Sequence, residues 1–380
     1  MQKAVKYKLR LFALFICISC ILFTGYLNSP AVYTTKAKKI VNQEEKLLKK
    51  VQELMEEMTL EEKVAQMILA AMPADAANIQ EKFQFGGYVL FADDFEGKTP
   101  ASVKKRIKGI QNVSKIPVLA AVDEEGGTVV RVSKYKQFRP FPFASPQNVY
   151  ASGKWNGIVK DTRAKAKFLK KLGINTNLAP VADVAYKKTD FIYKRSFSTN
   201  AVKTAKYVKK TVNAMKDEKL VSTLKHFPGY GNNGDTHSKL INDYRDMDIF
   251  KKRDLKPFQA GIEAGCGMVM VSHNIVHCLD PERPASISPE VISYLRDVMG
   301  FEGVIVTDSL TMAGVLAYTK SPGKSAVLAV MAGNDLLCTS EYKKTYYALK
   351  KAVKNKKITE KRIDSSVRRI LLMKYRHSII

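Results

Sequence analysis

The chain has 380 residues, 46% of them apolar and 26% charged. That is ample for a buried core, and it excludes both a disulfide-stapled miniature and a wholly disordered chain. The 63 lysines and arginines outnumber 36 acidic residues and leave a net charge of +27, which calls for a polyanionic neighbour: nucleic acid, a phospholipid surface or an anionic cell wall.

Residues 1–10 carry Lys3, Lys6, Lys8 and Arg10 and no acid, and Leu11–Leu27 then runs uncharged and almost wholly apolar. A basic stub before an apolar run reads as a secretory signal or an N-terminal anchor. The run of 17 residues is at the lower limit for a spanning helix. Ser29-Pro30-Ala31 offers a small-residue cleavage site. Cys20 after Ser19 hints at a lipoprotein box, although Cys17 stands where an aliphatic residue is expected. Residues 1–31 are therefore expected to export the chain. Its place would be extracellular, wall-associated or anchored to the outer face of the cytoplasmic membrane. Export removes nucleic acid as a partner and leaves a mature charge of +23, suited to an anionic wall or membrane face. Cys266, Cys278 and Cys338 then remain, an odd set that forms no disulfide framework and reads as small buried hydrophobes.

Residues 32–43 are polar and basic and read as a linker, with one folded domain over 44–380. Helical spacing begins at Leu47, Leu48, Val51, Leu54, Met55 and Met58, and Thr59 with Glu62 forms a capping-box pattern. Eight apolar strand-like runs follow: Ala65–Leu69, Gly87–Phe91, Pro117–Val122, Asn175–Pro180, Val221–Lys225, Met268–Ser272, Val304–Thr307 and Asp335–Cys338. Helical stretches separate them, among them Ser102–Val113, Lys160–Leu172, Val202–Lys216, Asp254–Ala264, Pro289–Val298 and Lys324–Ala332. Continuous apolar strands alternating with helices imply a parallel sheet buried on both faces. Eight such units suit a closed (β/α)8 TIM-type barrel, with a doubly wound open sheet as the alternative.

In such a barrel the chemistry sits at the C-terminal ends of the strands. Here several strands end in polar residues: Asp123-Glu124-Glu125-Gly126-Gly127, Asp183, Lys225-His226, Ser272-His273-Asn274 and Asp308-Ser309. After the fifth strand, Pro228-Gly229-Tyr230-Gly231-Asn232-Asn233-Gly234-Asp235-Thr236-His237 cannot hold regular structure. A turn there can bring Asp235 to His237. An Asp paired with a His fixes its tautomer and raises its basicity, which makes a general acid/base. Asp308 can attack an anomeric carbon from the floor of a polar cleft or, blandly, cap the next helix. There is no His-Glu-x-x-His, no phosphate-binding glycine loop and no Gly-x-Ser-x-Gly elbow. A metal-dependent hydrolase using His226, His237, His273 and Asp308 remains a competing reading. Trp155, the single tryptophan, reads as loop packing rather than as a sugar platform.

These segments together resemble glycoside hydrolase family 3, in its β-N-acetylhexosaminidase branch, in order from about Glu53 to Arg369. The matching pieces are Ala121–Gly127, Gly173–Val184, Arg195-Ser196-Phe197-Ser198, Lys225–Gly229, Val271-Ser272-His273, Pro284-Ala285-Ser286 and Gly300–Asp308. The resemblance implies a retaining double displacement, with Asp308 as nucleophile and His237, backed by Asp235, as acid/base. It implies that Asp123, Arg131, Arg195, Lys225 and His226 grip the terminal sugar, an N-acetylglucosamine of a wall-derived glycan. No metal and no other cofactor is implied, and a monomer is expected. The family commonly has His where this chain has Tyr230, and Ser where it has Thr236. The roughly 40 residues after Cys338 suit closing helices, Tyr342–Val353 and Thr359–Tyr375, so a single catalytic domain is expected without a second α/β domain. Other readings are a β-glucosidase or xylosidase, a phosphorylase on the same fold, and a wall-binding protein without catalysis.

Overall fold

A computed structural model of the chain describes residues 30–236 and 238–380, with side chains from residue 41 onward. The proposed leader up to residue 29, and His237, lie outside the described residues. The chain divides into a unit ending at Glu57 and a unit Met58–Ile380. In the first, Pro30–Glu56 is one helix. The stretch 32–43, expected as a linker, is thus helical, and the large unit begins at Met58 rather than at 44. The physical reason is composition. From Ala31 to Glu56 there is no Gly or Pro, and Lys, Glu, Gln, Leu and Ala dominate, all good helix formers. No helix among the described residues is long and apolar enough to cross a membrane.

The large unit is a parallel barrel of β1 (Ile68–Ala71), β2 (Gly87–Leu90), β3 (Leu119–Val122), β4 (Thr176–Asn177), β5 (Val221–Phe227), β6 (Met268–Val271), β7 (Val304–Thr307) and β8 (Leu337–Thr339). The strands pair in sequence order from β1 to β7, β8 pairs with β1, and the bridge Val306–Leu336 closes the ring. Every strand residue except Ala71 is buried, which is why the runs are continuously apolar rather than alternating. Residues of Ala201–Asp217 and Leu255–Glu263, among them Val208, Val212 and Phe258, pack with Leu224, Val269 and Ile305 of the strands in one core cluster. Gly261 makes the close approach possible, since a Cβ there would lie 2.5 Å from Leu224 Cδ1.

The expected elements are present with shifted edges. The run read as Ala65–Leu69 is divided. Thr59 and Glu62 form the anticipated capping box, the helix Leu60–Gln66 follows, and β1 starts only at Ile68. The helix expected from Lys160 starts at Pro146, with Ser145 accepting from the Asn148 amide and a break at Lys154, whose φ is 50°. Pro289–Val298 is an α-helix to Ser293 and a π-helical turn from Tyr294.

Candidate active site

The strands end in a cavity of about 370 Å³, walled by side chains from four of them, β2, β5, β6 and β8, and from the loops that follow the strands. Asp123 and Glu125 leave β3 two residues apart, so the period of an extended chain turns both to the same side. Lys225, near the end of β5, reaches both: its Nζ lies 2.6 Å from Asp123 Oδ1 and 2.6 Å from Glu125 Oε1. Arg195 grips Glu125 in a fork, Nε to Oε2 at 3.0 Å and Nη2 to Oε1 at 2.8 Å. Burial alone would raise the Glu125 pKa, but Lys225 and Arg195 outweigh it and hold the carboxyl far below its ordinary range. Burial likewise opposes the charge on Lys225, and the two carboxylates reverse it, so the ammonium stays charged well above its ordinary value.

His226 extends this cradle. Arg195 Nη2 lies 3.1 Å from its Nε2, and a guanidinium only donates, so Nε2 is the acceptor and Nδ1 carries the proton. Nδ1 then donates to Asp183 Oδ2 at 2.8 Å. Asp183 also accepts from the amides of His226 at 2.9 Å and Tyr230 at 2.7 Å, which fixes the first turn of the glycine-rich loop. Arg245 secures that loop from outside. It donates to Gly229 O at 2.7 Å and pairs with Asp243 at 2.6 Å and Asp254 at 3.0 Å.

Asp308 stands at the C-terminal end of β7 and lines the cavity. Its amide donates to Val271 O at 2.9 Å, and its Oδ1 accepts from the Ser309 amide at 2.8 Å. Asp235 lines the same cavity. Thr236 beside it is buried, with its carbonyl accepting from Gly314 N at 3.1 Å. Arg131 lines the cavity as well. Its amide donates to Glu124 at 3.0 Å, while its Nε, buried from solvent, has no hydrogen-bond partner among the described residues. Glu124 turns away from the cavity and takes the amides of Arg131, Val132 and Ser133, which pins the segment carrying Arg131. Phe91 and Phe191, each about 40% exposed, give two of the apolar walls.

The sequence thus placed Asp123, Arg131, Arg195, Lys225, His226, Asp235 and Asp308 in what is one cavity. Glu125 and Asp183 were marked only as polar residues at strand ends, without a role. The two-residue spacing from Asp123 was the available signal for the role of Glu125, whereas nothing local points to the partners of Asp183. His273 is not in the cavity: it is buried, its Nδ1 accepts from the Ser286 hydroxyl at 2.7 Å and its Nε2 donates to Ser309 O at 2.9 Å. Both ring nitrogens of His226 and of His273 are engaged, and no cluster of three or more metal-ligating side chains forms among the described residues. Trp155 packs against Tyr150 and Phe197, with ring centroids at 4.6 and 5.7 Å, as expected.

Residues 59–373 match the family model described as glycosyl hydrolase family 3 N terminal domain. The chain belongs to glycoside hydrolase family 3. Among family 3 relatives, a protein named β-hexosaminidase A from Pseudoalteromonas piscicida is 28% identical over 80% of this chain and 56% of its own length. A β-hexosaminidase from Xanthomonas campestris pv. campestris is 33% identical over 60% of this chain and 69% of its own. The solved family 3 β-N-acetylglucosaminidase from Paenibacillus sp. FPU-7 superposes with a TM-score of 0.78 at 29% identity, over 85% of this chain and 63% of that one. The chain therefore spans little more than half of the first of these relatives.

Proposed function

We propose that this protein is a retaining exo-acting β-N-acetylglucosaminidase. The observation that carries the reading is that Asp308 and Asp235 open into one cavity with the ion-paired cradle of Asp123, Glu125, Lys225, Arg195 and His226. About 370 Å³ is at the small end for ligand pockets and suits one terminal sugar rather than a length of chain. Asp123 accepts sugar hydroxyls, and Arg131 supplies a donor for a hydroxyl or the acetamido oxygen. An Asp308 oxygen attacks C1 as the bond from C1 to the aglycone oxygen breaks, and His237, oriented by Asp235, gives that oxygen its proton. His237 then takes a proton from water as the water oxygen attacks C1 and releases Asp308. The names of the β-hexosaminidase relatives support the sugar assignment.

Asp308→Asn is expected to cut turnover of an aryl N-acetyl-β-glucosaminide at least about 1,000-fold with the thermal melt preserved. Matched aryl β-glucosides and β-xylosides should be poor substrates for the wild type, and inorganic phosphate should not speed release. Full turnover by the variant sinks the assignment of Asp308. A preference for sugars without the 2-acetamido group moves the specificity, and acceleration by phosphate makes the enzyme a phosphorylase.

The biological substrate in this reading is peptidoglycan fragments met outside the cytoplasmic membrane. The leader-like residues 1–31 and the +23 charge of the remainder support it. Purified wall sacculi should then retain the protein at low salt and release it at about 1 M, where the screening length is about 3 Å. Absence from the pelleted sacculi at low salt rules out wall retention.

A further inference from the structure

Tyr230 is 1% exposed and touches both halves of the site. Its amide donates to Asp183, which holds His226, and its ring meets the His226 ring edge-on at 5.0 Å and the cavity-lining Phe191 at 5.7 Å. At its far end the phenol oxygen lies 2.6 Å from Thr236 Oγ1. Thr236 is fully buried and sits between Asp235 and His237 in sequence. The hydroxyls of Tyr230 and Thr236 are thus a buried rod of fixed length between the sugar-gripping cradle and the segment that carries the acid/base residues. A β-branched threonine has few χ1 choices, and the Gly314 amide bonded to its carbonyl fixes the backbone beside it. Space there is tight: a Cβ at Gly314 would lie 2.9 Å from Thr236 O. Burial, with Asp308 nearby, pushes the phenol pKa far above its ordinary value, so the hydroxyl keeps its proton at any working pH.

We propose that Tyr230 and Thr236 form a positioning pair that sets the acid/base segment against the sugar held by the cradle, so that their hydrogen bond governs proton transfer to the leaving group rather than sugar binding. The proposal rests on the acid/base assignment made above. Tyr230→Phe and Thr236→Val each remove one hydroxyl and keep the shape, and Thr236→Ser keeps the hydroxyl. The test is kcat/KM for aryl N-acetyl-β-glucosaminides whose phenol leaving groups range from acidic to weakly acidic. Acidic phenols leave without a proton, so their kcat/KM should change less than about threefold. Weakly acidic ones need the proton, and should lose about 10- to 100-fold, the scale on which misplacement of a catalytic group is felt. KM should hardly move, Thr236→Ser should retain most activity on all substrates, and the double variant should lose no more than either single one.

Equal losses across all leaving groups in Tyr230→Phe and Thr236→Val would overturn the proposal, and so would no loss in either. If Asp235→Asn itself shows no greater loss with weakly acidic phenols, the acid/base assignment fails and takes the proposal with it. A normal Asp235→Asn signature beside flat Tyr230 and Thr236 profiles refutes the pair alone. Thermal melts of all variants separate a folding defect from a positioning one, and Thr236→Val provides the result should Tyr230→Phe not fold.

Discussion

Glu125 is the residue on which the cradle turns. Its two oxygens take three donors, one from Lys225 and two from Arg195. A glutamine there would keep the size but set an amide N–H against a cation. Removing one partner of a buried charge network costs about 3–5 kcal/mol, so Glu125→Gln should melt markedly earlier than wild type at neutral pH. In the proposed reading it should also lose roughly 100-fold in kcat/KM, as Lys225 and Arg195 shift within the cavity. The pH dependence has a fixed sign. The folded carboxyl titrates below its ordinary 4.5, so its stabilisation is complete above that value and drains away as the pH falls beneath it. The gap in melting temperature between wild type and variant should be constant above about pH 5 and narrow below it, as a series of thermal melts would show. A gap that widens in acid contradicts the charge assignment. At this scale the sequence was legible where chemistry coincides with a strand end, as for Asp123, Lys225 and Asp308. A role was not legible where a residue matters through distant partners: Asp183, visible only as a polar strand end, serves the site because the fold returns His226 and Tyr230 to it across more than forty positions.

Elements were legible as kinds more than as spans. All eight strands were foreseen because burial on both faces leaves an uninterrupted apolar run, and Val304–Thr307 has the boundaries expected of it. The errors have a common cause. From Val64 to Ala71 the chain is buried and apolar apart from Gln66 and the half-buried Ala71, so no periodicity separates the end of the helix Leu60–Gln66 from the start of β1. What separates them is tertiary. The Gln66 side chain donates to Gln84 O at 2.9 Å, and Gly86, lacking a Cβ, lets the Gln66 carbonyl come so near that a Cβ would lie 2.0 Å from it. The glycine-rich loop after β5 shows the converse. Its glycines announced irregular structure, but its path is dictated by Arg245, whose guanidinium would lie 2.0 Å from a Cβ at Gly231. That arginine stands 14 positions further along in a stretch with no feature to mark it.

At the scale of the molecule, closure of the barrel depends on contacts between its two chain ends, and one of these carries an unusual charge. Lys374, on the helix Glu360–Arg376, is fully buried, and its Nζ donates to Gln66 Oε1 at 2.9 Å, a bond that spans 308 positions. Among the described residues no carboxylate offsets it: burial is the cause that lowers its pKa from 10.5 to about 7. Between those values the unfolded chain holds a proton that the folded chain has shed, so stability rises with pH from about 7 to 10.5. Below about 7 both states are protonated and the penalty is full and constant. Lys374→Met removes the titration but leaves Gln66 Oε1 without this donor, a cost of about 1–3 kcal/mol at every pH. The slope rather than the offset is therefore diagnostic. The stability of the variant relative to wild type, from denaturant midpoints, should be most favourable and flat below pH 7 and should fall steadily towards pH 10. A difference independent of pH across that range would mean that the ammonium is solvated or paired in the folded protein. The contact between the chain ends would then be an ordinary hydrogen bond rather than a charge that the barrel holds at a cost.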